Sequence, residues 1–329
     1  MSEWVLSKLT GDAQPGDFLE GILKSYKAHD VVTWQEQQER PPASLILAKD
    51  TEDVLTVCER LSTSDISSCP VFDAGDNCIG IIDFSDVVAY LLKMDCQTHG
   101  SLKNGNTVWE ELGTVPISSA VDLSKRNPKV IVQGNAFLLE VLRVFEKDKP
   151  RRVLVADEQG KVVAVLAPSA IVRFLMIRMK GKYDNIMPKT VTDLGIGSTP
   201  VTSVKKNQSL LEAMHLMHQT RHSVLAVVDP TNGELSGSIS MSDIKFVFQE
   251  RRFPMLMSSC WKYICEMRER SDNEVFPYFG VQNADQLHMV ISKLLATNVH
   301  HLYVVNGQQQ PIKVVSFTDI CGGLARWVK

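Results

Sequence analysis

A chain of 329 residues has room for two domains of ordinary size, each with a core of its own. Its apolar fraction of 44% and charged fraction of 22% are those of a soluble globular protein, and a net charge of −3 offers no basic stripe for a nucleic-acid partner. No apolar run approaches the roughly 20 residues that span a bilayer, so no membrane segment is expected.

In chain order, the opening "MSEWVLSKLTGDAQPGDFLEG" is acidic and polar, which excludes a secretory signal and argues against a mitochondrial one. Phe18, Leu19, Ile22 and Leu23 follow as an apolar group that can meet a partner strand or helix, or pack on the chain itself. The stretch 42–92 then reads as strand, helix, strand, strand, helix, with a turn at "DAGDN". The stretch from Asp95 to Gly113, polar and Gly-containing, predicts a surface loop. The same element order recurs over 127–176 with its turn at "DEQGK", over 199–250 with "DPTNGE", and over 276–324 with "NGQQQP". A basic segment with Gly and Pro, "RMKGKYDNIMPK", divides the chain into halves, and 251–274 reads as helical and partly buried. The seven cysteines form no C-x-x-C pair, so reduced thiols in the cytoplasm or nucleus are expected rather than a disulfide framework or a metal knuckle.

Each unit ends on one corner, where a short buried strand runs into a helix. "GIIDFSDVVAYL", "GSISMSDIKFVF" and "KVVSFTDICGGL" place Asp86, Asp243 and Asp319 at equivalent positions, and the second unit has Ala170 there. The plain reading of Ser240-x-x-Asp243 and Ser316-x-x-Asp319 is a helix capping box. Repetition at equivalent corners adds another. A carboxylate at a strand-to-helix corner can accept both hydroxyls of a ribose, and the helix start beneath it supplies N–H donors for polar groups or phosphate.

This element order, and the corner pattern of glycine, two apolar residues, Ser or Thr, two residues and Asp, resembles the cystathionine-beta-synthase (CBS) domain. Four CBS repeats in tandem imply an α/β fold of two Bateman modules joined in a flat pseudo-symmetric disc. The boundaries expected are an N-terminal segment 1–26, a first module 27–180 (repeats about 42–95 and 122–177) and a second module 181–329 (repeats about 190–250 and 275–327). The presence of Asp86, Asp243 and Asp319 beside Ala170, and the lead-in "ILKSYKAHDVV", are similar to the gamma regulatory subunit of AMP-activated (Snf1-related) protein kinase.

That resemblance implies a non-catalytic, energy-sensing subunit that binds AMP, ADP or ATP and assembles with alpha and beta-type kinase subunits. It implies ribose binding by Asp243, Asp319 and Asp86, and a sugar and base lining of Thr199, Ser240, Ser242, Ser316 and Ser223. Arg151, Arg152, His300 and His301 would hold phosphates. Ser67 stands where the family carries an arginine, and Asp83 adds a charge beside any phosphate at the first corner. The alternatives are a scaffold, or a sensor of another adenosyl ligand such as NAD or S-adenosylmethionine with a non-kinase partner. A metal site at His215, His218 and His222 is a remoter one. No P-loop, kinase signature, nucleophile elbow or Rossmann fingerprint is present, so no catalysis is expected.

Overall fold

The computed structural model describes residues 15–37, 45–97, 105–180, 189–269 and 278–328. The chain enters through α1 (Pro15–Leu23) and α2 (Ala28–Glu36). The first repeat is β1 (Ala48–Lys49), α3 (Val54–Thr63), β2 (Ser68–Phe72), β3 (Cys78–Asp83) and α4 (Phe84–Gln97). After α5 (Gly105–Leu112) the second repeat runs β4 (Ile131–Gln133), α6 (Leu138–Lys147), β5 (Val153–Ala156), β6 (Val162–Leu166) and α7 (Pro168–Arg178). The third is β7 (Ser203–Lys205), α8 (Leu210–Thr220), β8 (Val224–Val228), β9 (Leu235–Ser240) and, after a 3-10 turn at Met241–Ile244, α9 (Lys245–Gln249). Beyond α10 (Cys260–Glu269) comes the fourth: β10 (Gly280–Val281), α11 (Leu287–Ala296), β11 (His301–Val305), β12 (Pro311–Ser316) and α12 (Phe317–Trp327).

Every repeat folds the same way because the same local chemistry recurs. Each sheet has three strands, the first parallel to the second and the third antiparallel to it. The hairpin turn is closed by a short polar side chain that accepts from the backbone two residues on. Gly75 N donates to Asp73 Oδ1 at 2.8 Å, Gln159 N to Asp157 at 3.0 Å, Thr231 N to Asp229 at 3.0 Å and Gln308 N to Asn306 at 2.9 Å. The helix before each hairpin buries an apolar stripe, as Leu138, Leu139, Val141, Leu142 and Phe145 do in α6.

The repeats form two pairs through their sheets and two through their helices. Phe72 and Ile81 of the first repeat pack on Leu154 and Val162 of the second. Ala226 and Leu235 of the third pack on Tyr303 and Val305 of the fourth. These are the two Bateman modules. A helical core then joins repeat one to repeat three, where α3 lies against α9, and another joins repeat two to repeat four, where α6 lies against α12. The contacts close a ring in the order one, two, four, three.

The lead-in of each repeat crosses to its module partner. Ala28 N and His29 N donate to the carbonyls of Ala136 and Gly134, and Val54 N donates to Val115 O from the segment before repeat two. In the second module Leu287 N donates to Lys189 O and Cys260 N to Gln208 O. One expectation changes and one open choice is decided. Part of the predicted surface loop is the helix α5, whose Val108 and Leu112 are fully buried and whose Trp109 ring packs 4.3 Å from Phe253. Leu19, Ile22 and Leu23 are buried in the core of repeats two and four, with Phe18 at its edge, so of the two roles expected for this group the structure shows packing on the chain's own core. The segment 181–188 between the halves lies outside the described residues.

Candidate functional site

The corner aspartates do cap their helices, and the way they do it differs from repeat to repeat. At the fourth corner Ser316 N (2.9 Å) and Ser316 Oγ (2.5 Å) both donate to Asp319 Oδ2, and Ser316 Oγ accepts from Asp319 N at 3.2 Å. Capping therefore occupies one carboxylate oxygen. Among the described residues the other, Oδ1, accepts only from the exposed Ser198 hydroxyl, at 3.2 Å. A cleft of ≈ 240 Å³ opens beside it, lined by Ser198, Gly197, Thr318, Lys149 and Arg326 among others. Gly197 has φ +100°, and a side chain there would collide with Lys313 and the Val314 carbonyl. That close approach lets Ser198 pair its backbone with Val314 in both directions, at 2.8 and 3.1 Å, which sets Ser198 and the neighbouring Thr199 over the corner.

At the third corner both oxygens of Asp243 face Ser240: its N donates at 2.6 Å and its Oγ at 2.9 Å. Ser242 Oγ lies 2.9 Å from Ser240 Oγ. Burial raises the Asp243 pKa and the bonds from Ser240 oppose the rise. Ser223 is half-buried beside this corner, and its carbonyl accepts from Met241 N at 2.9 Å.

The first corner is filled by the chain itself. Asp86 is fully buried, and its Oδ1 accepts from Ser124 N (2.9 Å) and Ser124 Oγ (2.6 Å). Its Oδ2 accepts from Asn127 Nδ2 (2.7 Å) and Asp83 N (3.0 Å). Four donors leave no acceptor for a sugar. Asp83 is buried beside it, and Arg151 Nη1 lies 3.0 Å from Asp83 Oδ2. Burial acts to raise the Asp83 pKa, but Arg151 and Arg152 outweigh it and hold the carboxyl below its usual range. Burial, and then the charge of Asp83, push Asp86 up to about 7. Ala170 leaves the second corner with no carboxylate.

Of the four phosphate ligands named from the sequence, Arg151 and Arg152 are charged and lie close enough to His300 and His301 to lower the basicity of one or both. Arg151 also donates to Ser85 Oγ (2.5 Å) and Arg152 to Ser67 Oγ (2.6 Å), so both reach into the first repeat. His300 is pushed down to about 4 by its crowded surroundings and then by Arg152, Arg151 and Lys245. His301 is pushed to about 3 by burial, then by His300, Arg151 and Arg126. Sequence reasoning missed Arg126, Ser124 and Asn127, which sit in the segment before β4 and belong to no repeated pattern. His218 and His222 also feel the charge of Arg126. His222 Nδ1 shares a 2.8 Å hydrogen bond with Thr202 Oγ1, and no group of three metal-ligating side chains is found among the described residues.

The comparisons agree with this architecture. The CBS domain matches residues 43–93 and 191–250. Protein SDS23 of Kluyveromyces lactis is 26% identical over 296 residues, covering 80% of this chain and 56% of that protein. Protein sds23/moc1 of Schizosaccharomyces pombe is 28% identical over 261 residues, covering 75% and 63%. The chain thus spans about half the length of the curated relatives it matches. Among solved structures, protein MJ1225 of Methanocaldococcus jannaschii, described as a candidate archaeal homologue of g-AMPK, superposes with a TM-score of 0.67 at 13% identity. The alignment covers 90% of this chain and 99% of that one, and it shows a shared fold. The CBS domain thus matches repeats one and three, repeats two and four share their strand order, and the fold is that of CBS repeats paired as two Bateman modules.

Proposed function

We propose that this protein is a non-catalytic regulatory protein that binds an adenine nucleotide, with the fourth corner as its main site. The observation that carries the reading is Asp319: one oxygen caps the helix, the other faces a cleft bordered by Ser198 and Thr318. A ribose diol would take that oxygen in place of Ser198, and His300, His301, Arg151 and Arg152 would take phosphate. Asp243 is a weaker second site, because Ser240 must release an oxygen first. Asp86 is a structural carboxylate rather than a ribose ligand, and this narrows the set of three that the corner pattern suggests.

The partner is the finer part of the proposal. A protein kinase of the Snf1 or AMP-activated type, through its alpha and beta-type subunits, follows from the gamma-like corner asymmetry, and the ring gives such subunits a rim to grip. The SDS23 proteins that the chain matches are not named as kinase subunits, so the kinase partner rests on the gamma-like corners alone. The free state of all seven cysteines suits the cytoplasm or nucleus.

Calorimetry of the full chain with AMP, ADP, ATP, NAD and S-adenosylmethionine tests the ligand. A ligand held at a 1 µM site and added at 100 µM raises stability by about 2.7 kcal/mol. Binding of none of the five would leave a scaffold with decayed sites.

A further inference from the structure

The first and fourth corners are built alike and covered differently. In each module the segment that leads into β4 or β7 passes the third strand of the partner repeat. Gly197 meets Lys313 there in the second module. Val121 meets Gly80 in the first, where a side chain on Gly80 would lie 2.5 Å from Val121. The strands that follow begin in the same register, Ile131 opposite Leu154 and Ser203 opposite Ala226. Between these two fixed points the first module carries four more residues, Val121 to Ile131 against Gly197 to Ser203.

The extra length is what fills the first corner. It turns the chain inward, so that Ser124 N (2.9 Å), Ser124 Oγ (2.6 Å) and Asn127 Nδ2 (2.7 Å) all donate to Asp86. The fourth donor, Asp83 N, makes the capping bond that Ser316 N makes to Asp319. Without the loop the two carboxylates match, one oxygen on the helix cap and the other free. The Ser124 and Asn127 side chains donate one to each oxygen of Asp86, as two neighbouring hydroxyls of a sugar do.

Holding the loop there has a cost. Asp122 and Lys125 are both left-handed, with φ +47° and +57°, a conformation that side chains rarely adopt. Arg126 Nη1 is enclosed with no hydrogen bond among the described residues. The loop is also braced within itself. Asn127 N donates to Asp122 Oδ1 at 2.9 Å, and Lys125 N to the Asp122 carbonyl at 3.0 Å. Lys125, between the two anchors on Asp86, is exposed. A strained, self-braced loop with its anchors on one carboxylate can leave as a unit when those anchors let go.

We propose that residues 121–127 form an autoinhibitory strap, in which the chain supplies its own substitute for a diol and keeps a site at Asp86 shut. Released, that corner takes the vicinal diol of a nucleoside. The strap deepens the nucleotide reading and rests on it for the rest of the ligand.

The test uses the full chain, a double variant with Ser124→Ala and Asn127→Ala, and the same variant with Asp86→Ala added. Trypsin cleavage after Lys125 and Arg126 is followed under native conditions. Adenosine, and 2′-deoxyadenosine, which lacks one of the two hydroxyls, are titrated by calorimetry. The double variant should be cut in the strap at least about tenfold faster than the parent, the scale of one lost charged hydrogen bond. It should bind one more adenosine per chain than the parent and no additional 2′-deoxyadenosine, and the added site should vanish with Asp86→Ala. If the double variant does not fold, Asn127→Ala alone, which leaves Asp86 three donors, is read in the same way.

A double variant that is cut no faster overturns the strap. So does one that gains no adenosine site, or gains one that survives Asp86→Ala or takes 2′-deoxyadenosine equally well. Where the parent binds adenosine through Asp319, each of these results leaves the nucleotide reading standing. A parent that binds no adenosine, beside a double variant that binds one, upholds the strap and removes the fourth corner as the main site.

Discussion

Asp86 and Asp319 occupy the same position in their repeats and do different work, and their substitution should show it. Asp319→Ala removes one cap, worth about 1 kcal/mol of stability, and should weaken AMP binding about ten- to a hundredfold. Asp86→Ala strands the Ser124 and Asn127 donors in the interior. It should cost about 3 kcal/mol in denaturant unfolding and leave the AMP affinity of the folded protein unchanged in calorimetry. Asp86 also gives a pH signature. Its folded pKa of about 7 lies above that of an unfolded aspartate, so the folded state holds the extra proton. Its contribution to stability is therefore present at low pH and lost as pH rises from about 4 to about 7. Asp86→Asn should remove that slope, read as the difference between parent and variant in urea midpoints across the range. A difference that stays flat would mean that Asp86 is ionised throughout.

At the scale of elements, the sharpest contact is between α12 and the lead-in of the third repeat. A methyl group at Gly323 would collide with the Ile196 side chain, which is itself fully buried in the core of repeats two and four. Gly323→Ala should destabilise by about 1–3 kcal/mol through overpacking. Ile196→Ala opens the space, so the double variant should be more stable than the sum of the two single effects allows. Additive effects would show that the helix shifts freely. The expected order of elements holds in all four repeats, because hairpin turns and amphipathic stripes are set by residues a few positions apart. The misread element was α5: in "GNTVWEEL" only Val108, Trp109 and Leu112 are apolar, and the rings that Trp109 packs on, Phe248 and Phe253, lie some 140 residues away.

For the whole molecule, the central histidines couple ligand binding to protons. Burial, and then the basic groups around them, hold His300 down at about 4 and His301 at about 3, which disfavours their charged forms. Folded pKa values below the unfolded one mean that this part of stability is gained as pH rises from about 4 to about 6.5. A bound phosphate reverses the balance by favouring imidazolium. AMP binding should therefore take up protons and tighten as pH falls from 8 to 6, and calorimetry in buffers of different ionisation enthalpy would measure the uptake. No proton exchange would place the phosphate away from the two histidines.

The sequence alone determined that there are four repeats, what each contains, and that Asp86, Asp243 and Asp319 cap the same corner. Each of those facts depends on spacings within about fifty residues. It also named Arg151, Arg152, His300 and His301, through the resemblance to the gamma family, whose phosphate ligands lie just before each central strand. Only the tertiary structure decided how the corners differ. The first is filled by Ser124 and Asn127, the third is closed by Ser240, and the fourth opens on a cleft. It also decided that the lead-ins cross between repeats and that Arg126 Nη1 is enclosed without a hydrogen bond among the described residues. The physical reason is the same in each case. Whether a carboxylate is spent or a guanidinium is left unpaired depends on which distant segment packs over it, and no local spacing carries that information.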